Sequence, residues 1–300
     1  MRACITGGTG FVGTTLSHFL AEKGYEVVIF SRSPEGKKDD VHPDKISFAS
    51  YDELKPVIAG SKVVINLAGE NLFDQRWTDE VKSRILKSRV KTTRAVVKAI
   101  VAAETKPDVL ISASAVGYYG TRGDEFLNED AGSGADFLSK VCLQWEEEAE
   151  EVRKTGVRLA VPRIGIVLEK NGGALEKMIT PFSMFVGGPL GNGKQFFPWV
   201  HMDDVSNALW FAISEEKLDG PFNLCSPNPV TMKEFASELG KAMNRPSFFP
   251  VPEVALKLLV GEAAAALTAS QRAVPEKLQS LGFKFRFSEP GQALKQILSE

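Results

Sequence analysis

The glycine-rich stretch at residues 6–13 restricts the fold of this chain more than any other part of the sequence. It is TGGTGFVG, and it follows a short apolar run, Ala3 to Ile5, that is typical of a β-strand. The next residues, Thr14 to Lys23, have the apolar spacing of an amphipathic helix that stops at Gly24. The glycines therefore join a first strand to a first helix.

Each glycine in this turn has a physical task. The first allows a sharp turn out of the strand, the second lets the backbone approach a pyrophosphate, and the third lets the helix pack against the strand. The helix N-terminus offers free N–H groups and a positive dipole end to phosphate. The alternative, a plain glycine turn, is disfavoured by the strand-turn-helix context. We predict a dinucleotide site that includes Gly7, Gly10, Phe11, Val12 and Gly13.

The residues after the second predicted strand, Glu26 to Phe30, distinguish NAD from NADP. An acidic residue there would bind the ribose 2′-hydroxyl, but the sequence has Ser31 and Arg32 instead. A guanidinium and a hydroxyl suit a 2′-phosphate, so we predict NADP(H) as the cofactor. The alternative is that Arg32 is only a solvated loop residue. After a later strand, small residues allow a close backbone approach to the nucleotide at Leu67, Ala68 and Gly69.

Continuous apolar runs separated by helical stretches indicate the fold class. Such runs suit strands buried on both faces of a parallel sheet. They occur at residues 46–49, 63–66, 109–113 and 157–161, and the main helical stretches are 79–103 and 138–154. The sequence predicts an α/β protein with a Rossmann doubly wound parallel sheet and a small C-terminal substrate lobe. The NADP-binding domain is predicted to be 1–163 plus 201–225, and the substrate-binding lobe 164–200 plus 226–300.

The amino-acid composition argues against several classes of binding partner. The chain has 300 residues, with 36 basic and 38 acidic side chains and a formal charge of −2, which argues against nucleic acid or an anionic membrane as a partner. Cys4, Cys142 and Cys225 form no CxxC pair, which favours reduced thiols in a cytoplasmic protein. No signal peptide, membrane span or metal site is expected. The expected partner is a small-molecule substrate, and the expected state is a monomer or homodimer.

Several motifs follow one another along the chain: TGGTGFVG, NLAG, ISASAVGYYG, PRIGIVL, WVHMDDV and FNLCSPNPVTMKEF. With them the chain resembles, over nearly its full length, the extended short-chain dehydrogenase/reductases, which include nucleotide-sugar epimerases and dehydratases. The details NLAGEN and GGPLGNGKQFFPWVHMDD are similar to an atypical branch, the epimerase family proteins related to YfcH and YfhF. The resemblance implies an NADP(H)-binding fold and a small polar substrate, such as a nucleotide sugar.

The family's chemistry uses a serine or threonine together with a tyrosine and a lysine spaced as Tyr-x-x-x-Lys. Ser114 matches the serine, at the end of a predicted strand. The helix predicted after Ser114 has no Tyr-x-x-x-Lys, and its best-placed lysine, Lys140, has Asp136 four residues before it. Because Asp136 precedes a predicted helix, we expect it to be an N-cap rather than a base. The family's usual proton relay is therefore incomplete.

Tyr118 and Tyr119 follow Ser114 closely and are candidates to replace the missing tyrosine. A phenol there would reach the nicotinamide side, where Lys140 or the cofactor ring would lower its pKa. In the other interpretation both tyrosines are pocket walls. The candidate catalytic residues are therefore Ser114, Tyr118, Tyr119 and Lys140.

A role is also expected for several other residues. Arg89, on the helix after NLAGEN, matches a pattern of the branch and is expected to contact the cofactor. His201 and the neighbouring Asp203 and Asp204 are expected to be structural, with one carboxylate as a helix cap. Gly172-Gly173 and the aromatic segment 195–199 are expected to line the pocket of the small lobe. The aromatic rings there would stack on a planar or sugar ring, and the alternative is that they belong to the core.

Two functions remain open from the sequence. An oxidoreductase or epimerase would act on a carbonyl or hydroxyl of a small polar metabolite. A non-catalytic NADP(H)-binding module would sense redox state or support a partner. The lack of a Tyr-x-x-x-Lys on the helix after Ser114 favours the second function, whereas the glycine loop and Ser114 favour the first.

Overall fold

The computed structural model describes residues 1–299, and its first strand runs directly into the glycine loop. In chain order the strands are β1 (Arg2–Thr6), β2 (Glu26–Ser31), β3 (Ile46–Ser50), β4 (Val63–Asn66), β5 (Val109–Ser112), β6 (Ser114–Ala115), β7 (Phe126–Leu127), β8 (Arg158–Ile164), β9 (Ile166–Glu169), β10 (Phe196–Phe197), β11 (Trp199–His201), β12 (Gly220–Leu224), β13 (Val230–Thr231) and β14 (Arg272–Ala273). The α-helices are α1 (Phe11–Glu22), α2 (Leu54–Ile58), α3 (Asp79–Ala102), α4 (Phe137–Glu150), α5 (Gly173–Ser183), α6 (Met202–Ser214), α7 (Met232–Met243), α8 (Glu253–Val260), α9 (Ala264–Thr268), α10 (Glu276–Ser280) and α11 (Pro290–Ser299).

The central sheet has the strand order β12-β8-β5-β4-β1-β2-β3, and all of these neighbours are parallel. The chain builds outward from β1 to β3 and then returns past β1 to β4. This reversal is the switch point of a doubly wound sheet, where ligands bind outside the carboxyl ends of the strands. The predicted Rossmann fold class is confirmed.

Helices cover both faces of the sheet, which explains why its strands have no polar alternation. On one face, Leu16 and Leu20 of α1 and Leu209 of α6 pack against the strands. On the other face, Ile58 of α2 and Ile100 of α3 do the same. This packing holds the carboxyl ends of the strands in fixed relative positions, and these ends carry the candidate site.

A further apolar cluster joins α5, α7 and α11, with Phe182, Trp199 and Phe235 fully buried in it. Helix α7 begins as the sequence predicts, because Thr231 and Glu234 form a capping box. All the buried members of this cluster come from segments that the sequence analysis assigned to the small lobe.

Strand β8 differs from the sequence prediction in a way that affects the site. The apolar run predicts a strand only to Val161, but β8 continues through Pro162 to Ile164. The continuation pairs with β6, where Arg163 lies opposite Ser114. The extra residues therefore carry a buried arginine to the end of the sheet.

Candidate functional site

The glycine loop at the end of β1 is shaped by close backbone contacts. Gly7 has φ 73°, and a Cβ there would lie 2.7 Å from the carbonyl carbon of Leu67. A Cβ on Gly13 would overlap the carbonyl oxygen of Gly7. The Gly10 N–H donates to that same oxygen at 3.0 Å, and no side chain in the described residues caps α1. The first N–H groups of α1 therefore lie beside a cradle into which phosphate oxygens can fit.

The residues after the loop close one side of this cradle. Phe11 is 36% exposed, and its ring packs against Gly172 and Gly173. Val12 is half-buried and contacts the core beneath the sheet. The glycine pair that was expected to line a separate pocket thus packs against the first turn of α1.

The end of β2 presents a buried hydroxyl and an exposed cation. Ser31 is 7% exposed, whereas Arg32 is exposed and makes no ion pair with any residue in 1–299. Tyr51 lies close by: burial raises the pKa of its phenol, while Arg32 and the Gly7 backbone N–H lower it. Tyr51 could not be predicted as a neighbour of this site, because nothing in its spacing links the start of a short helical turn to the glycine loop.

A buried polar network holds the end of β4 in place. Thr6 donates to the side-chain oxygen of Asn66 at 2.7 Å, and the Asn66 amide donates to Thr93 at 2.8 Å and to Ser112 at 3.1 Å. These bonds tie β1, β4, α3 and β5 together directly below the segment 67–69. The backbone of Leu67 consequently lies against Gly7.

Arg89 of α3 holds the loop that follows β4. It donates to the carbonyl oxygens of Glu70 at 3.1 Å and Ile85 at 3.0 Å, and its guanidinium packs against Gly69. Burial lowers the pKa of this guanidinium from its usual value, but arginine stays charged at neutral pH. In the structure Arg89 therefore fixes this loop, and its contact with the cofactor stays a prediction.

Ser114 begins a buried chain of polar groups at the end of β5. Its hydroxyl donates to Glu146 at 2.6 Å, and Glu146 is held by two bonds from Arg163, at 3.0 and 2.9 Å. Burial alone would lower the pKa of Arg163, but the pairing with Glu146 raises it. Because a carboxylate only accepts hydrogen bonds, Ser114 must be the donor, and its oxygen lone pairs are left to accept. Ser114 itself is only 2% exposed.

Tyr119 belongs to the same polar chain. Its hydroxyl donates to Asn223 at 2.7 Å and accepts from Arg163 at 3.0 Å, and its side chain is fully buried. Burial raises the pKa of Tyr119 to about 12, although Arg163 and Asn223 oppose the shift. A phenol with that pKa stays protonated at neutral pH.

Tyr118 and Lys140 lie in more open positions. The ring of Tyr118 is stacked 3.5 Å from the Arg163 guanidinium, and its side chain is half-buried. Within residues 1–299 its hydroxyl has no hydrogen-bond partner. Lys140 is exposed on α4, two residues before Cys142. Two residues along a helix correspond to a rotation of about 200°, so the Lys140 side chain points away from the face that Cys142 occupies. Tyr118 therefore lies against the polar network that contains Ser114, whereas Lys140 does not reach it.

The face of α4 that meets Ser114 carries neither tyrosine nor lysine. Cys142 and Glu146, one turn apart, face the end of β5, and Leu138, one turn earlier, lies beside Gly117. Burial, followed by the nearby Glu146, raises the pKa of Cys142 to about 11, so this residue remains a thiol. Asp136 accepts from the Ser139 N–H at 2.8 Å, which confirms the predicted N-cap.

The His201 segment is structural, but its cap differs from the expectation. Helix α6 starts at Met202, and the His201 Nδ1, not a carboxylate, accepts from the Asp203 N–H at 3.0 Å. Asp204 is buried and accepts from the backbone N–H groups of Arg286 and Phe287. The aspartates therefore hold the segment before α11.

Comparison with known proteins agrees with this architecture. A model of the "NAD dependent epimerase/dehydratase family" matches residues 3–225, and a "Domain of unknown function (DUF1731)" matches residues 251–297. The chain belongs to the NAD dependent epimerase/dehydratase family. Two relatives extend the match over the whole chain. The chloroplastic SDR39U1 homolog of Arabidopsis thaliana is 41% identical, over 99% of this chain and 87% of that protein. YfhF of Bacillus subtilis is 37% identical, over 100% and 99%.

Among solved structures, human epimerase family protein SDR39U1 with NADPH has a TM-score of 0.90 and 33% identity. The match covers 100% of this chain and 99% of that chain. This agrees with the predicted membership in the epimerase/dehydratase family and in the branch that includes YfhF. Because one relative is named chloroplastic, the cytoplasmic location stays a prediction. No helix within residues 1–299 is both long and apolar enough to cross a membrane.

This epimerase/dehydratase family member also has a polar cavity of about 490 Å³, lined in part by the turn that follows Tyr119 in the chain. Its lining includes Thr121, Asp124, Lys194, Gln195 and Ser270. Of the aromatic segment 195–199, Gln195 and Phe196 thus face a cavity, whereas Phe197 and Trp199 are core residues. The sequence signal for this cavity was the Gly-rich segment before Phe196, which forms its wall.

Proposed function

We propose that this chain binds NADP(H) at the carboxyl ends of β1, β2 and β4. The observation that carries the proposal is the unpaired Arg32 next to the buried Ser31, in the chain that leaves β2, the strand beside the glycine loop of β1. A 2′-phosphate would meet a guanidinium with no competing carboxylate. The NADPH of the human relative supports the same choice of cofactor. Phe11, Val12, Leu67, Ala68 and Gly69 would surround the nucleotide.

Bound NADP(H) would supply or accept a hydride. We propose that the partner in this step is a carbonyl or hydroxyl carbon of a small polar metabolite, of which a nucleotide sugar is one example. The polar cavity with Asp124 and Lys194 supports a hydroxyl-rich ligand, because it offers both acceptors and donors. The family match supports this class of chemistry at the level of the family.

Among the four residues suggested by the sequence, Tyr118 is the best candidate to move a proton. Its hydroxyl has no partner in the described residues, and the Arg163 guanidinium lies over its ring. Ser114 and Tyr119 are sealed in the network around Arg163, so we assign them a positioning role, and Lys140 lies on the opposite face of α4.

The cofactor proposal is tested by measuring the dissociation constants of NADPH and NADH by calorimetry. The native protein is expected to bind NADPH more tightly. Arg32→Ala is expected to weaken NADPH at least about tenfold, because a charge-assisted contact to phosphate contributes about 1.5–3 kcal/mol. NADH affinity should be unchanged by this substitution, which makes NADH the internal control. Equal affinity of the native protein for the two cofactors would contradict the proposal.

The proton step is tested by NADPH oxidation at 340 nm in the presence of a library of polar carbonyl compounds. Once a substrate is found, Tyr118→Phe is expected to lower kcat by about a hundredfold or more, within the usual range for a lost general acid. The dissociation constant of NADPH should stay within about twofold of the native value. Tyr119→Phe serves as the matched control, because it should lower stability by about 1 kcal/mol without a comparable loss of kcat. Equal kcat losses in both variants would remove the special role of Tyr118.

A second candidate function is a non-catalytic NADP(H)-binding module. The observation that favours it is the α4 face made of Leu138, Cys142 and Glu146, which presents neither a tyrosine nor a lysine to Ser114. Such a module would change its affinity for a partner with the redox state of the cofactor and would never oxidise NADPH. Turnover in the carbonyl library separates the two functions directly.

A further inference from the structure

A second cation lies next to Ser31, although the sequence analysis gave it no role. Lys37 donates from Nζ to the Ser31 hydroxyl oxygen at 2.8 Å. The lysine is brought back toward β2 by a tight turn, in which the Lys37 N–H donates to the carbonyl oxygen of Pro34 at 3.1 Å. The ammonium group therefore has a defined position at the end of β2, unlike a lysine that only extends into solvent.

The hydrogen bonds around Ser31 leave donors free for an anion. The Ser31 oxygen accepts from Lys37 and also from the Ser33 N–H at 3.3 Å. Its own hydroxyl hydrogen is therefore available to donate. An ammonium group has three N–H donors, of which only one is directed to Ser31.

No carboxylate neutralises this group of cations. Glu35, the nearest acid along the loop, is exposed and forms no ion pair within residues 1–299, and Asp39 accepts from His18 at 2.8 Å and from the N–H groups of Val41 and His42. Within residues 1–299, neither Arg32 nor Lys37 forms an ion pair. Two unpaired cations and a free hydroxyl donor thus belong to the chain that leaves the end of β2.

We propose that Lys37 is a second residue that determines specificity for the 2′-phosphate of NADP(H). The inference rests on the proposed cofactor site, which it deepens. Arg32 would bind the phosphate from one side, while Lys37, held by Ser31, would bind it from the other. A phosphate group with nearly two negative charges at neutral pH matches two cations better than one.

The test compares Lys37→Met with Lys38→Met in calorimetric titrations of NADPH and NADH. Methionine keeps much of the apolar stem and removes the charge. Lys37→Met is expected to weaken NADPH about tenfold and to leave NADH unchanged, and Lys37→Arg should restore most of the loss. Lys38→Met is the matched control, because the neighbouring lysine has no contact with Ser31, and NADPH affinity should change less than about twofold.

The outcomes separate this inference from the cofactor proposal. If the native protein prefers NADPH but Lys37→Met behaves like Lys38→Met, the role of Lys37 is wrong and the cofactor site stands. If Lys37→Met weakens NADPH and NADH equally, Lys37 acts on the loop and not on the phosphate, which also overturns the inference. If the native protein binds neither cofactor, or binds both equally, the proposed cofactor itself fails.

Discussion

Glu146→Ala is expected to lower the free energy of unfolding by about 3–5 kcal/mol, the usual cost of leaving one partner of a buried ion pair alone. Arg163 is 3% exposed and directs two bonds to Glu146. Removing the carboxylate leaves a buried guanidinium that cannot lose its charge at any pH at which the protein is folded. Ser114 would lose its acceptor in the same step. Urea unfolding, followed by intrinsic fluorescence, measures the change.

Glu148→Ala is the matched control for this prediction. Glu148 lies on the same helix and pairs with Arg94 through two short bonds, but that pair is on the surface. Ion pairs in contact with water contribute little to stability, so the unfolding midpoint should move far less. The double variant Glu146→Leu with Arg163→Met should recover most of the loss, since it removes both charges together. If Glu146→Ala were no more destabilising than Glu148→Ala, the buried pair would not stabilise the fold.

The parts of this molecule that could be predicted from sequence depend on local rules. The glycine loop, the apolar strands and the capping box of Thr231 and Glu234 involve residues close in the chain, and the structure has each of them. The same holds for the N-cap Asp136. Spacing within one element was sufficient because the interactions repeat with the period of the helix or the pleat.

The network around Arg163 could not be predicted in the same way. It joins Ser114, Tyr119, Glu146, Arg163 and Asn223, which come from β6, a 3-10 turn, α4, β8 and β12. Their proximity depends on the order of strands in the sheet and on β8 continuing past a proline. Sequence spacing instead drew attention to Lys140, because it counts residues along α4 but does not say which face of the helix is turned toward β5.

Lys37 shows the same limit on a smaller scale. In the sequence it belongs to a mixed run of lysines and aspartates that is typical of a solvated loop. In the structure, a turn of four residues brings one of these lysines back to Ser31 and leaves Lys38 outside the contact. Charge runs indicate exposure correctly, but they do not identify which charge returns to the end of a strand.

Gly13→Ala is expected to weaken both NADPH and NADH by about a hundredfold or more and to lower the free energy of unfolding by about 1–3 kcal/mol. Alanine is the better helix former by about 1 kcal/mol, so propensity alone predicts the opposite sign for stability. The added Cβ would overlap the carbonyl oxygen of Gly7 and would lie 2.7 Å from the Cα of Gly8. Both atoms are backbone, so the loop or the start of α1 has to move.

Comparing the losses of NADPH and NADH affinity in the Gly13→Ala variant identifies their cause. A displaced loop no longer follows the pyrophosphate, which NADPH and NADH share, so the two affinities should fall together. Arg32→Ala and Lys37→Met act on the 2′-phosphate and should spare NADH. Gly132→Ala is the matched control, because a Cβ there meets no atom within 4 Å and its φ lies outside the left-handed region. Calorimetry with both cofactors and urea unfolding give the two readouts. A Gly13→Ala protein that kept native affinity for either cofactor would show that the pyrophosphate does not lie against this loop.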